Sequence, residues 1–363
     1  MIECRKEVQL LTPYVPGKPI DDVKREYGLD DVIKLASNEN PLGCSEAAKA
    51  AVIKSLESPS LYPDGNCSTL RSALSLKLNI ASDQLIFGCG SDEVIAIIGK
   101  TFVTQGDEAI TCTPSFPQYK AAVVSMGGVM IEVPLKNHTY DLAGILDKIN
   151  ERTKVIFISN PNNPTGTIVT KDEQVSFMKK VPKHILVVWD EAYNEYIADD
   201  SFPNTLSIMK DYDNIILLRT FSKMYGLASL RIGYGISTKE IIGYMNRLRG
   251  PFNVTTQAQE AARASLDAQE FVNASFQLNE ASKQYTYKKC QELGLPYIET
   301  FGNFIMIDCK LPSMELFNQL QQKGVIVRPG FYFGMNTYQR VTLGTIEQME
   351  RFFELVEEFI QMS

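Results

Sequence analysis

Short apolar runs alternate with helical patterns along the middle of the sequence, and this rhythm restricts the fold more than any other feature. The runs with the composition of buried strands are QLIFG (84–88), EAITC (108–112), GVMIEVP (128–134), KVIFIS (154–159), HILVVW (184–189), NIILL (214–218) and SLRIGYGI (229–236). Helical patterns such as residues 91–102 and 170–181 lie between several of them. Strands that alternate with helices form βαβ units, so we expect an α/β fold with a mostly parallel sheet.

The rhythm begins near Pro59 and changes after Gly250. Beyond that point the sequence predicts one long helical stretch, roughly 255–293. Short strands then follow at 304–309 and 324–329, and a helix at 346–360. The first 35 residues are rich in turns. We therefore predict an N-terminal arm (1–35), a large domain (36–250) and a smaller α+β domain (251–363).

Composition excludes several classes of protein. The net charge of −7 disfavours nucleic-acid binding, which needs a basic face. The apolar runs are too short to span a bilayer, and the N-terminal residues do not form a signal peptide. Seven scattered cysteines without a C-x-x-C pair indicate a reduced, cytoplasmic protein. With two histidines, neither a histidine-based metal site nor a Ser-His-Asp hydrolase is expected.

Ligands of open parallel sheets bind outside the carboxyl ends of the strands, so the residues after each run are the candidates. GCGSDE (88–93) places Ser91 and Asp92 at a helix N-terminus, where free N–H groups can bind an anion. Glu93 stands where the dinucleotide-binding fingerprint requires its third glycine, which excludes that motif. A capped turn without a ligand is the alternative interpretation.

Two further strands are followed by polar segments. NPNNPTG (160–166) combines an irregular loop with amide donors and acceptors, although a plain turn is the alternative. In DEAY (190–193), Asp190 directly follows five apolar residues and should be buried. A buried carboxylate needs a cation or several donors nearby, unless it serves as a helix N-cap.

The segment RTFSKMYGLASLR (219–231) follows a buried strand with hydroxyl and basic side chains. A desolvated lysine at Lys223 has a lowered pKa and becomes nucleophilic. Thr220, Ser222 and Arg231 would surround an anion. The alternative for Lys223 is a solvated loop lysine, and for this residue alone the sequence does not decide.

Together these segments offer a nucleophilic lysine, an anion cradle, a buried carboxylate and an asparagine-rich loop. Pyridoxal 5′-phosphate needs all four, because its aldehyde forms a Schiff base with lysine and its phosphate needs a cradle. Its pyridinium nitrogen needs a carboxylate, and its phenolic oxygen needs hydrogen-bond donors. The combination therefore predicts a pyridoxal 5′-phosphate (PLP) site.

From end to end, the chain resembles the fold-type I PLP-dependent aminotransferases, and among them the histidinol-phosphate aminotransferases most closely. The segments that carry the resemblance are LTPYVPGKP (11–19), KLASNENPLG (34–43), LYPDG (61–65), IFGCGSDE (86–93), NPNNPTG (160–166), DEAYNEY (190–196), RTFSKMYGLASLRIGYG (219–235) and IVRPGFYFGMNTYQRVTLGT (326–345). The resemblance implies a three-layer α/β/α PLP-transferase fold with a smaller α+β domain, and a homodimer.

The resemblance also implies roles for single residues around the cofactor. Lys223 would form the Schiff base, and Asp190 would pair with the pyridinium nitrogen. Asn163 and Tyr193 would bond the phenolic oxygen. The residues expected to hold the cofactor phosphate are Ser91, Asp92, Ser222 and Arg231, with Thr220 as a weaker addition. Phe116 would stack on the ring, and Tyr62 would reach the phosphate of the neighbouring subunit.

For the substrate site, the resemblance implies Tyr14, Asn38, Arg328 and Arg340. Two arginine forks that converge on one pocket suit phosphate and carboxylate groups, whereas two surface arginines are the alternative. The implied reaction is ping-pong transamination of histidinol phosphate with 2-oxoglutarate/glutamate in histidine biosynthesis. Competing functions are an aromatic amino-acid aminotransferase, with dual specificity as a variant, and threonine-phosphate decarboxylase. A PLP-binding transcription regulator shares the fold.

Overall fold

The structure, a computed structural model, describes residues 2–13 and 15–362. Its strands, numbered along the chain, are β1 (Ile33–Lys34), β2 (Leu85–Gly88), β3 (Glu108–Thr113), β4 (Val129–Pro134), β5 (Thr153–Ser159), β6 (Leu186–Asp190), β7 (Ile215–Thr220), β8 (Gly233–Ile236), β9 (Tyr297–Ile298), β10 (Phe304–Asp308), β11 (Val325–Ile326), β12 (Arg328–Pro329) and β13 (Tyr338–Thr342).

Helices lie between most of these strands. Those with α-helical geometry are α1 (Lys6–Gln9), α2 (Ile20–Tyr27), α3 (Glu46–Ser55), α4 (Ser68–Leu78), α5 (Ser91–Phe102), α6 (Gln118–Val124), α7 (Leu142–Lys148), α8 (Lys171–Met178), α9 (Thr205–Ile208), α10 (Lys239–Asn246), α11 (Thr256–Ser265), α12 (Gln269–Glu292), α13 (Ser313–Gln322) and α14 (Ile346–Gln361). Short 3₁₀ turns occur at Ser82–Gln84, Asn194–Tyr196, Met209–Asp211, Ala228–Leu230 and Gly330–Phe333.

The largest sheet has the strand order β2-β8-β7-β6-β5-β3-β4. Strand β8 runs antiparallel to both its neighbours, and the other neighbouring pairs are parallel. The α/β class with a mostly parallel sheet is therefore confirmed. Each apolar run predicted as a strand contributes to this sheet, because runs without polar alternation can be buried on both faces.

Helices cover both faces of this sheet and give three layers. On one face, here called the α5 face, Ile216 and Leu218 of β7 pack with residues of α5, α6 and α10. On the other face, here called the α8 face, Ile215 and Leu217 pack with residues of α4, α8 and α11. Successive side chains of a strand point to opposite faces, so neighbouring residues of β7 belong to different cores.

A second sheet, in the order β12-β13-β10-β9, lies in the C-terminal part of the chain. Residues near the N-terminus join this part, because β1 pairs in parallel with β11 and Val23 packs on Ile326. The α-helices α13 and α14 contact each other and build the core there with the strands. The domain boundaries at residues 35 and 250 stay predictions.

Three predicted elements differ in detail from the structure. The helical stretch 255–293 is divided at 266–268, so that α11 packs on α3 while α12 packs on α14. The segment 324–329 is divided between β11 and β12, which belong to different sheets. Strand β8 begins at Gly233 rather than 229, because a 3₁₀ turn and the left-handed Arg231 (φ 54°) precede it. Among the described residues, no helix is long and apolar enough to cross a membrane.

Candidate active site

The carboxyl ends of β5, β6 and β7 meet at one cavity of about 180 Å³. The residues that line it are Ser37, Asn38, Gly90, Ser91, Asp92, Phe116, Ser159, Asn163, Asp190, Ala192, Tyr193, Thr220, Ser222, Lys223, Arg231 and Arg340. The structure thus brings together most of the side chains that the sequence nominated from distant segments.

Lys223 lies half-buried in this cavity, just after β7. Its ammonium Nζ donates to the carbonyl oxygen of Ser37 at 2.9 Å and lies 5.7 Å from the centre of the Tyr193 ring. Burial, followed by the positive charge of Arg340, lowers the pKa of Lys223 to about 8. A substantial fraction of this amine is therefore neutral near physiological pH, as a nucleophile or a general base requires.

Asp190 ends β6 and is almost completely buried. Its Oδ2 accepts a hydrogen bond from the Tyr119 hydroxyl at 2.8 Å, and Oδ1 accepts from the backbone N–H of Ala192 at 3.2 Å. Burial raises the pKa of Asp190 to about 6, and the Tyr119 hydrogen bond opposes that increase. A carboxylate in this condition would be stabilised strongly by a cationic ring nitrogen, which is the role expected of Asp190.

The residues of the predicted anion cradle lie together at the N-terminus of α5. Arg231 donates through Nη2 to Asp92 at 3.2 Å and through Nη1 to the Ser222 hydroxyl at 3.4 Å. Ser91 and Asp92 begin the helix, where N–H groups point out of the first turn. Burial raises the pKa of Asp92, while Arg231 opposes the increase.

Two glycines allow the close approach on which the cradle depends. Gly90 has φ 78°, and a Cβ there would lie 2.5 Å from Nη2 of Arg231. A Cβ on Gly233 of β8 would lie 2.3 Å from the backbone nitrogen of Ser91. Because Gly90 has no side chain to cap α5, the first-turn N–H groups and the guanidinium can share one anion. This arrangement fits the phosphate of the cofactor that the sequence predicts.

Another part of the cavity lining contains Asn38, which donates through Nδ2 to the Tyr193 hydroxyl at 2.9 Å. Asn163 accepts from Nη1 of Arg340 at 2.6 Å, and Nη2 of Arg340 donates to the Ala36 carbonyl at 2.7 Å. Asn38 with Tyr193, and Asn163 with Arg340, thus form two hydrogen-bonded pairs that line the cavity together with Lys223. The other two asparagines of the 160–166 segment make hydrogen bonds that hold the loop: Asn160 bonds the backbone of Val169, and Asn162 bonds Thr165.

A second cavity adjoins the first and shares Phe116, Asn163 and Arg340 with it. Arg328 lines this second cavity, is buried, and pairs in register with Arg340 across β12 and β13. Its Nη1 donates to the Val15 carbonyl at 2.7 Å, and its guanidinium lies 4.3 Å from the Tyr332 ring centre. The two arginines are therefore neighbours, as their proposed shared task requires. The predicted substrate residue Tyr14 lies outside the described residues.

The remaining nominated residues occupy distinct positions. Phe116 lines both cavities, and its ring meets that of Tyr119 edge to face at 5.6 Å. The Thr220 hydroxyl accepts from the Ser222 backbone N–H at 3.1 Å, so it supports the turn that carries the cradle. Tyr62 is 83% exposed and stacks on Phe252 at 4.8 Å, away from this subunit's cavity.

Sequence reasoning missed Tyr119 and Ser37. Tyr119 is buried in α6 and stacks on Phe157 at 4.9 Å, which fixes its hydroxyl against Asp190. A signal was present, since Tyr119 lies only three residues after Phe116, which the sequence had already predicted to contact the cofactor. Ser37 contributes its backbone carbonyl to Lys223, and side-chain chemistry gives no sign of that contact.

Comparison with known proteins was made once this geometry was established. The model of the family described as aminotransferase class I and II matches residues 30–356. The chain belongs to this family. The resemblance inferred from the motifs, the fold class and the assignment as an enzyme are confirmed by this match together with the relatives described next.

Curated relatives in this family match along almost the whole chain. A histidinol-phosphate aminotransferase of Caldicellulosiruptor saccharolyticus is 51% identical over 98% of this chain and 99% of its own length. The Bacillus subtilis (strain 168) enzyme of the same name is 44% identical over 99% of this chain and 100% of its own. A crystal structure of histidinol-phosphate aminotransferase from Sinorhizobium meliloti, in complex with pyridoxal-5′-phosphate, superimposes with a TM-score of 0.89, 25% identity and 99% coverage of both chains.

Proposed function

We propose that this protein is a PLP-dependent aminotransferase that transfers an amino group between histidinol phosphate and 2-oxoglutarate, in histidine biosynthesis. The observation that carries the proposal is the cavity that holds Lys223, Asp190 and Arg231 together and adjoins the buried pair Arg328 and Arg340. The names of the full-length relatives support the substrate. The alternatives of an aromatic aminotransferase and of threonine-phosphate decarboxylase gain no support from them.

The cavity's residues fit the cofactor group by group. Ser91, Asp92, Ser222 and Arg231 would hold the phosphate, and Asp190 would hold the proton on the ring nitrogen. Asn163 and Tyr193 would bond the phenolic oxygen, and Phe116 would cover the ring. When bound, PLP supplies an aldehyde that condenses with amines and a ring that accepts the electron pair released at the substrate Cα.

Lys223 is the group that binds the cofactor and later moves protons. Its neutral amine would take the proton from the substrate Cα and then give it to the carbon that was the aldehyde carbon of the cofactor. A pKa of about 8 allows both tasks, since the amine is neither permanently protonated nor too weak a base. Its contact with the Ser37 carbonyl keeps Nζ at the floor of the cavity.

The arginines bind the anionic ends of both substrates. Arg340 would bind the carboxylate of glutamate or 2-oxoglutarate by exchanging its hydrogen bond to Asn163, and Arg328 would bind the distal phosphate or second carboxylate, since a guanidinium suits an oxyanion. Asn38 and the predicted Tyr14 would complete the substrate site. One pocket that accepts both anions explains how a single lysine serves both half-reactions.

We infer that the enzyme works as a homodimer in the cytoplasm. Tyr62 is exposed although aromatic, and other apolar side chains with large exposed fractions include Ile53, Leu56, Leu61, Leu76, Leu248 and Phe252. Apolar surface of this kind is common where subunits meet. All seven cysteines, each among the described residues, are free thiols, which favours a reducing compartment.

The test is a comparison of amino donors with the purified holoenzyme and 2-oxoglutarate. We expect kcat/KM for histidinol phosphate to exceed that for phenylalanine and tyrosine. The phosphate adds charge-assisted hydrogen bonds that aromatic acids cannot make in the same place, and about 3 kcal/mol from them corresponds to more than about 100-fold. A preference of tenfold or more for the aromatic acids would show that the proposed substrate is wrong.

A further inference from the structure

Arg219, which ends the apolar part of β7, takes no part in the chemistry proposed above. Its guanidinium donates through Nε and Nη2 to Oε2 of Glu191, at 3.2 and 2.9 Å. The two side chains are only 11% and 1% exposed. They therefore form a buried ion pair beside the cofactor cavity, and neither residue lines that cavity.

This ion pair lies beneath the cavity, on the other side of the sheet. Asp190 and Thr220 line the cavity, and Glu191 and Arg219 are their immediate neighbours in sequence. Arg219 is in register with Tyr234 of β8, whose ring packs on the α8 face. Since successive residues of a strand alternate between faces, the ion pair faces away from the cavity.

One guanidinium thereby connects two segments that carry cofactor residues, namely β7 with its continuation to Lys223, and residues 190–196. Glu191 follows Asp190, and its backbone N–H bonds the Leu218 carbonyl of β7 at 2.9 Å. Nη2 of Arg219 also donates to Oδ1 of Asn194, the residue after Tyr193, at 3.4 Å. Arg219 itself belongs to the strand that leads directly into Lys223.

Stability alone gives no reason for an ion pair at this position. Apolar residues of similar volume commonly replace a buried ion pair without loss of stability. In addition, Oε1 of Glu191 is buried and has no hydrogen-bond partner among the described residues, which is unfavourable. Apolar packing does not fix the orientation of the groups in contact. The rigid planar fork of arginine does, because its hydrogen bonds fix the relative position of the groups it bonds.

We propose that Arg219 and Glu191 are a positioning pair that aligns Asp190, Tyr193 and Lys223 for the cofactor from the reverse face of the sheet. This inference rests on the proposed function only in so far as those three residues bind PLP. It predicts that the ion pair controls cofactor affinity and turnover and has little influence on substrate affinity, since Arg328 and Arg340 lie on β12 and β13.

The decisive variant replaces both charges, Arg219→Met together with Glu191→Met. At pH 6 we expect the cofactor-free protein to keep its Tm within a few degrees, because neither partner of the ion pair is left alone. Burial raises the pKa of the nearby Glu195 to about 7 and Arg219 opposes that increase, so without Arg219 this carboxyl stays neutral at pH 6. The Kd for PLP should rise about tenfold or more and kcat should fall by a similar factor, because Asp190, Tyr193 and Lys223 would be displaced from their positions around the cofactor. The KM for histidinol phosphate should change less than about twofold, because the substrate arginines are untouched.

Cofactor affinity can be measured without turnover. Trp189 is the single tryptophan of the sequence, is fully buried in β6, and directly precedes Asp190. We expect bound PLP to quench its fluorescence, so titration of the cofactor-free protein gives Kd directly. If wild-type enzyme failed to transaminate histidinol phosphate, the proposed function would be wrong, and this titration would still test the positioning pair.

A conservative variant and a control at a distant ion pair, whose arginine is 70% exposed, complete the experiment. Arg219→Lys keeps the charge and loses the fork, so its Kd and kcat should lie between those of wild type and the double variant. The control is Arg152→Met with Glu108→Met, an ion pair at the start of β3 that is far along the strand from the cavity, and it should leave both values unchanged. Wild-type Kd and kcat in Arg219→Lys would overturn the proposal, even if the double variant failed to fold.

Discussion

At the scale of single residues, the site depends on groups whose ionisation the protein has altered. The sequence predicts Lys223 as a nucleophile from its place after a buried strand. In the structure, burial and the positive charge of Arg340 lower its pKa to about 8. Asp190 follows an apolar run, and burial raises its pKa to about 6. The two shifts have opposite directions in pKa but one physical cause, since burial disfavours the charged form of each.

Tyr119 offers a direct test of how Asp190 is controlled. The pKa of Asp190 is higher in the folded protein than in an unfolded chain, so its contribution to stability is fully present below about pH 4. That contribution, of the order of 3 kcal/mol, is lost as the pH rises through about 6. Tyr119→Phe removes a hydrogen-bond donor to the carboxylate, which should raise the pKa of Asp190 further. We therefore expect the unfolding free energy of this variant to keep falling to a higher pH than that of wild type.

The measurement is urea unfolding of the cofactor-free protein at several pH values between about 4.5 and 8. Tyr119→Phe should lower the unfolding free energy at pH 8 by about 1–3 kcal/mol more than at pH 4.5. In an Asp190→Asn background the same substitution should have no pH-dependent effect, because no carboxylate remains. A Tyr119→Phe curve parallel to that of wild type would contradict this account of Asp190.

At the scale of elements, the cradle exists because β8 passes very close to the N-terminus of α5. Gly233 permits this approach, since any Cβ there would meet the backbone of Ser91 and Gly90. The sequence indicated the helix N-terminus through GCGSDE, and it predicted a longer β8. Only the packing of strand against helix shows why Gly233 is needed.

Gly233→Ala tests this contact. We expect a loss of about 1–3 kcal/mol in unfolding free energy, as overpacking causes, and a weaker affinity for PLP because the first turn of α5 must move. Gly243→Ala is the matched control, since Gly243 lies within α10 and a Cβ there meets nothing within 4 Å. The control should gain about 0.5–1 kcal/mol from reduced chain entropy and bind PLP normally. Equal effects of the two substitutions on PLP affinity would refute the packing argument.

At the scale of the whole molecule, the prediction concerns assembly. Tyr62 stacks on Phe252 at the surface and lies outside the cavity of its own subunit. If Tyr62 completes the neighbouring subunit's phosphate site, a hybrid of two defective subunits should contain one intact site. Lys223→Ala should abolish transamination, and Tyr62→Ala should weaken cofactor binding.

Mixed and reassociated subunits of these two variants provide the experiment. After random pairing, half of the dimers should be hybrids, and each hybrid should have one intact site out of two. Activity should therefore recover to about a quarter of the wild-type value. The controls are each variant reassociated with itself, which should stay defective. A mixture no more active than the average of its components would show that Tyr62 does not cross the interface. Light scattering on the wild-type protein would establish whether it is a dimer.

Some residues of the site could be predicted from the sequence, and others could not. Lys223 and Asp190 were found because each follows an apolar run, and the ends of parallel strands meet at one edge of a sheet. The segment 160–166 was found in the same way, and the resemblance to the family singled out Asn163 within it. Tyr119 was missed because it acts through Asp190 from a helix. Ser37 was missed because any residue carries a backbone carbonyl, so its identity holds no information.

The sequence by itself determined the α/β class, the order of most elements and the chemical groups required at the site, because hydrophobic periodicity and residue type are local properties. The tertiary structure decided which groups touch. Arg219 illustrates the difference: in the sequence it interrupts an apolar strand, and in the structure it bonds Glu191 and Asn194, which belong to another segment. Contacts between residues distant along the chain depend on the packing of whole elements, which no local pattern specifies.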